Sequence, residues 1–161
     1  MKKNKTTYQP PAHYNQDEKA IWQLLIYRDF VAFCKEDWPM IADDFMDDGF
    51  FGIDGKKSAD KATWSLSYPS LEAYKRDWIH QSQQFNQEVF TEDPLDFLFN
   101  HVQLATIDIE EDTAFVHKVF NGQLGVKGKA ALELNWLSLF VLRRVAGAWK
   151  IQSFTGYLPR T

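Results

Sequence analysis

From His101 to Tyr157 the chain is almost unbroken strand pattern, turned back on itself three times, and this run restricts the possible folds more than any other feature. His101 to Ile109 is followed by the acidic turn Glu110-Glu111-Asp112 and a second run from Thr113 to Gly122. Two alternating runs around a short polar turn predict a β-hairpin. A longer strand is expected from Lys129 to Val145, with Leu132, Leu134, Trp136, Ser138, Phe140 and Leu142 on one face, because side chains alternate along a strand. Gly147 then turns the chain into a last strand, Trp149 to Tyr157. Consecutive strands joined by short turns form an antiparallel meander, whose apolar face needs a cover.

That cover precedes the strands. From Asp17 to about Glu36 nearly every position able to face a core is apolar, and a helix apolar on most sides is a buried helix. Asp37 reads as the N-cap of a short second helix carrying Trp38, Ile41 and Phe45, which Gly49 ends. Phe50 to Gly55 is a short strand bounded by glycines, followed by a polar loop from Lys56 to Pro69. Ser70 caps a third helix, whose stripe of Leu71, Tyr74, Trp78 and Phe85 lies at helical spacing, and a loop around Pro94 leads to the strands. Helices first and a meander last give an α+β layout: N-terminal helices packed on a curved antiparallel sheet. Residues 17–161 form one domain, and the polar stretch 1–16, with Pro10 and Pro11, is expected to be a loose arm.

Composition narrows the function. Aromatic residues make up 16% of the chain, more ring surface than packing alone demands, so some of it is expected to line a cavity. A net charge of −4 argues against a phosphate-binding surface, and nucleic acid is excluded as a partner. No apolar run approaches the ~18 residues of a membrane span, and the N-terminus lacks a hydrophobic signal core. The lone cysteine, Cys34, can form no intrachain disulfide. These features point to a cytoplasmic protein without a membrane partner. No His, Cys or acidic group has metal-ligand spacing, so no metal is expected.

Four strings carry a family likeness: a long apolar helix running into Lys35-Glu36-Asp37-Trp38; Ala42-Asp43-Asp44-Phe45-Met46-Asp47-Asp48-Gly49 before a short strand; Ile107 to Ala114 at a hairpin; and Arg143 to Ile151 near the end. In these the chain resembles the nuclear transport factor 2-like superfamily, which includes SnoaL-like polyketide cyclases, ketosteroid isomerase and scytalone dehydratase. The resemblance implies a cone-shaped fold, the cystatin-like roll, whose sheet curls around a pocket for an apolar small molecule. It also implies a homodimer paired through the outer sheet face, and acid–base chemistry without a cofactor. Isomerases, dehydratases, cyclases, plain binders and interaction domains share this fold, so the site must decide the function.

Several residues are candidates for that chemistry. By resemblance to ketosteroid isomerase, Asp54 lies close to the position of the proton-moving base; Asp-Gly before a polar loop is equally a turn. His101 and His117, on the two arms of the hairpin, resemble the pocket histidines of scytalone dehydratase, and imidazole suits proton transfer near neutral pH. A two-residue turn, Glu111-Asp112, sets His117 opposite Thr106 with His101 on the other face, whereas a three-residue turn places both on one face. Tyr27 and Asp29 on the first helix could supply a phenol and a carboxylate as in the dehydratase, although aligning Asp37-Trp38 puts the acidic position at Val31. Trp38, Phe51, Trp64, Trp78 and Trp136 are the rings expected nearest the ligand, with Trp64 in its polar loop as a lid; core packing is the alternative for each.

Overall fold

The computed structural model describes residues 8–160, so the first seven residues of the expected arm lie outside it. The rest of the arm is held in place. Tyr8 stacks on Phe99 with ring centroids 3.9 Å apart, and its hydroxyl donates to Asp96. Asn15 then opens the first helix with a reciprocal cap. Its side chain accepts from the Glu18 N–H and the Glu18 carboxylate accepts from the Asn15 N–H, both at 2.9 Å.

Three helical segments follow without a break: α1 (Gln16–Trp22), a π-helical stretch (Gln23–Arg28) and α2 (Asp29–Lys35). The buried helix expected from the apolar run is therefore present, with Ile21, Leu25, Ile26 and Phe30 facing the core. Its widened middle turn could not be foreseen from spacing. Glu36 ends α2 in the left-handed region, φ 55°, and Asp37 caps α3 (Trp38–Ile41) by accepting from the Met40 N–H. A 3-10 turn (Ala42–Asp44) leads toward β1 (Phe51–Asp54).

The supposedly featureless segment 56–69 contains β2 (Ser65–Tyr68), which pairs with β1 at the sheet edge. Ser70 caps α4 (Leu71–Asn86) as expected. The loop anticipated around Pro94 is instead a helix, α5 (Pro94–His101). The Asp93 carboxylate accepts from the Leu95 and Asp96 N–H groups at 2.8 and 3.1 Å, and proline is at ease in the first turn, where its missing N–H would go unused. His101 consequently ends a helix and does not begin a strand.

Strands β3 (Val102–Glu110), β4 (Thr113–Leu124), β5 (Leu132–Val145) and β6 (Ala148–Pro159) form the meander, and the full sheet runs β2-β1-β6-β5-β4-β3. It is mixed where wholly antiparallel pairing was expected, because β1 lies parallel to β6. The β3–β4 turn is the two-residue one: Glu110 pairs with Thr113, and His117 with Thr106. Register shifts between Leu104 and Thr106, between Leu137 and Leu139 and between Val141 and Leu142 mark irregularities of the kind that bend strands, and the sheet is curved. Its concave face carries Val116, Phe120, Leu134, Leu142 and Phe154 into the core. There Trp38 of α3, with Phe45 and Phe50 from the segment before β1, fills one half of the space; Trp78 of α4 borders the other half, which stays open.

Candidate functional site

The open half is a cavity of about 630 Å³ between α2, α4 and the concave face of the sheet. Phe30, Phe33, Trp78, Phe120, Trp136 and Tyr157 supply most of its aromatic wall. Trp136 stacks on Phe120 with centroids 4.5 Å apart, which holds both rings against the cavity. Lys57, Gln81, Gln84, Glu88 and Glu133 also line it, so the hollow combines apolar rings with polar groups, as small-molecule sites do.

The first of these groups comes from the π-helical stretch. At its end the Asp29 N–H turns to the Ile26 carbonyl, and the Leu25 carbonyl accepts from Lys118 Nζ. Widened turns of this kind recur at functional sites because they free a backbone group and re-aim a side chain. Asp29 accordingly lines the cavity, where its Oδ2 takes a second bond from Lys118 Nζ at 3.2 Å.

Lys118 is 3% exposed, so its amine has left water almost completely. The rings of Phe30, Phe120 and Phe140 lie 4.7, 5.2 and 5.8 Å from Nζ. Burial pulls the amine below the ordinary lysine value, and the Asp29 carboxylate opposes that fall. Arg28, the neighbour of Asp29, turns the other way. Its guanidinium binds Asp44 at 2.8 Å, and burial raises the Asp44 carboxyl despite that partner.

Two phenols complete the site. Tyr74 is pushed well above the ordinary tyrosine range by burial, with Asp29 and the neighbouring phenols adding to the rise, and its hydroxyl has no hydrogen-bond partner among the described residues. Tyr157 is raised to about 12, mainly by burial. Its hydroxyl donates to Gln81 at 3.4 Å, the Gln81 amide donates to Asp77 at 2.6 Å, and Tyr68 donates to the same carboxylate. Both cavity phenols are therefore neutral donors at physiological pH. The Trp78 N–H is buried without a partner among the described residues.

The residues named from sequence are scattered. On β4, Ala114, Val116, Lys118 and Phe120 point inward, so His117 lies on the outer face, and its assignment to the pocket is corrected by strand parity. His101 stacks on Phe97 with centroids 4.1 Å apart, its Nδ1 lies 2.9 Å from the Phe97 carbonyl oxygen, and it is no partner for His117. Asp54 accepts from the Lys56 N–H at 2.7 Å, the turn role, and does not line the cavity. Tyr27 packs toward Phe99 at 6.1 Å, also away from the cavity.

Among the expected ligand rings, Trp78 and Trp136 line the cavity. Trp38 is stacked on Phe45 inside the filled half, Phe51 is exposed at the sheet edge region, and Trp64 pins its own loop by donating to the Ser58 carbonyl at 2.8 Å. The sequence reading missed Lys118, Tyr74 and Tyr157 as polar groups of the site and set Asp29 aside. Counting inward positions along β4 back from the two-residue turn would have found Lys118.

Among the described residues no group of three metal-binding side chains occurs, and no helix is long and apolar enough to cross a membrane. The architecture is that of an α+β cup of cystatin-like form. No family model and no curated protein matches the chain. Solved structures do. An NTF2-like protein of unknown function from Shewanella baltica OS155 superposes with a TM-score of 0.58 at 15% identity, covering 94% of this chain and 100% of that one. A protein of unknown function with a cystatin-like fold from Nostoc punctiforme PCC 73102 gives 0.58 at 12% identity, covering 89% and 91%. A third, from Shewanella frigidimarina NCIMB 400, carries a provisional ketosteroid isomerase assignment and gives 0.54 at 13% identity, covering 81% and 90%. The chain thus has the NTF2-like fold.

Proposed function

We propose that the chain binds an apolar, ring-bearing small molecule in its cup and moves a proton on it at Asp29. One observation carries this reading: a carboxylate held by a buried amine at 3.2 Å stands beside Phe30, Phe33, Tyr74 and Phe120 in the wall of a hollow whose lining is rich in rings and also holds Lys57, Gln81, Gln84, Glu88 and Glu133. Lys118 engages only Oδ2, which leaves Oδ1 to face a substrate. The neutral hydroxyl of Tyr74 supplies a hydrogen bond to an oxygen on which charge develops, while Tyr157 donates to Gln81 and holds the wall in place. This chemistry suits an isomerase, cyclase or dehydratase and uses side chains alone.

A second reading, a carrier without turnover, draws on the same pair, because a carboxylate already neutralised by an amine needs no substrate to satisfy it. Tryptophan fluorescence titration with a panel of ring compounds, followed by product analysis, separates the two. Saturable quenching with turnover that Asp29→Asn lowers at least ~10²-fold, the scale of a general acid–base group, supports the enzyme. Quenching without turnover for any compound supports the carrier.

We further place two copies back to back through the outer sheet face, where Phe115 and Leu139 are exposed. A cytoplasmic setting accords with a chain whose single thiol, Cys34, is raised to about 12 by burial and is correspondingly inert. Sedimentation at micromolar concentration is expected to give twice the chain mass.

A further inference from the structure

Holding Asp29 does not exhaust the chemistry of Lys118. An amine in water is protonated and a poor nucleophile; one withdrawn among phenyl rings loses hydration that stabilises its charge. Beside Nζ lies a second, smaller space of about 20 Å³, lined by Asp29, Asp44, Tyr74 and Lys118 among others. Such a volume accommodates one water-sized group. Asp29 and Tyr74 line both this space and the main cavity, so only these side chains stand between the amine and a ligand in the cup. A ligand with its ring laid against the Phe120–Trp136 stack, on the cavity side, would extend a single polar head toward Asp29, Tyr74 and the amine.

We propose that Lys118 captures carbonyl compounds, forming an imine with an aldehyde or ketone carried on an apolar ring. The proposal rests on the reading of the cup as a small-molecule site and names its substrate class. Once Nζ has passed a proton to Asp29, its lone pair attacks the carbonyl carbon while the Tyr74 hydroxyl, which lines the same space, donates to the carbonyl oxygen. Asp29, 3.2 Å from Nζ, passes a proton from nitrogen to that oxygen, giving a carbinolamine. The carbon–oxygen bond then breaks, the second amine proton follows by the same carboxylate, and the oxygen leaves as water. Nothing is oxidised or reduced. A geometry that sets amine, proton carrier and hydroxyl donor around one water-sized space serves each of these steps.

The test is reductive trapping on the whole protein. Benzaldehyde and sodium cyanoborohydride are added at neutral pH, and the adduct is located by intact mass and peptide mapping. A single benzyl group on Lys118, formed before the exposed lysines react, is the expected result. Lys118→Met should lose it, and Asp29→Asn should slow it by ~10²-fold while circular dichroism shows both variants folded. Benzyl groups on the exposed lysines with Lys118 unmodified would overturn the proposal. Naphthalene, a ring without a carbonyl, separates the two claims. If it binds while Lys118 stays unmodified, carbonyl capture fails and the cup reading stands; if it does not bind either, both fail.

Discussion

The two faces of β4 are made from the same twelve residues and do different work. Inward, Ala114, Val116, Lys118 and Phe120 are buried, and the one charged group among them finds partners in Asp29 and the Leu25 carbonyl. Outward, Phe115 is half exposed, and Phe115 and His117 have as neighbours across the sheet Val141 and Leu139 on one side and Asp108 and Thr106 on the other. The proposed chemistry belongs to the inward face, because there the Lys118 amine has lost its hydration and the Asp29 carboxylate has a fixed partner. An imidazole one residue away, on the wet face, gains neither.

The contrast can be broken by substitution. The largest difference is expected in stability. Phe120→Ala, on the concave face, should cost ~3 kcal/mol by urea denaturation, the low end for a buried phenylalanine because it already borders open space. Phe115→Ala, half exposed at 50%, should change it by less than ~0.5 kcal/mol in the isolated chain. Equal costs would mean that the faces are not distinguished as described. The next effect is catalytic. Once a substrate is found, Asp29→Asn should lower turnover ~10²-fold or more, whereas His117→Ala should leave it unchanged. A His117→Ala loss as large as that of Asp29→Asn would move the chemistry to the outer face.

A smaller effect concerns pH. The folded-state value of Tyr157, about 12, lies above the ordinary 10.0, so its neutral phenol contributes stability that is complete below pH 10 and lost as pH rises toward 12. Thermal melts between pH 9 and 12 should therefore fall more steeply for the wild type than for Tyr157→Phe. Parallel curves would show the phenol to be solvated. The smallest effect on the fold, though visible in mass, is that of Leu139→Lys, which should convert the proposed dimer to a monomer in sedimentation and lower the melting temperature only by the share that dimerisation contributes. A wild-type monomer would remove that surface from the account.

The order of layers was legible in the chain because long apolar periodicities report burial directly. The run from Asp17 to Glu36 became the buried helix, and the alternation in β5 gave its concave face. Short elements were not. β2 is four residues of a polar loop with Leu66 exposed, so nothing in its composition distinguishes an edge strand from a turn. In α5 the Asp93-Pro94 pair is a cap followed by a first-turn proline, a pattern that reads equally as a loop. The site was the least legible part. Lys118 looks like an ordinary surface residue until the turn length fixes its parity, and Asp29 faces the cavity from the end of a π-helical turn that leaves no trace in the spacing of apolar residues. Tyr157 was read as the end of a strand; its backbone in the left-handed region, φ 55°, places it where only the tertiary structure could show.

The central claim is that the concave side of the sheet is hollow and takes an apolar ring. Nuclear magnetic resonance of the aromatic side chains during titration with naphthalene tests it most directly. Saturable shifts confined to Trp78, Phe120, Trp136 and Tyr157 are the expected result; no saturable shift, or shifts centred on Phe51, Phe115 and the neighbours of Leu139, would contradict it.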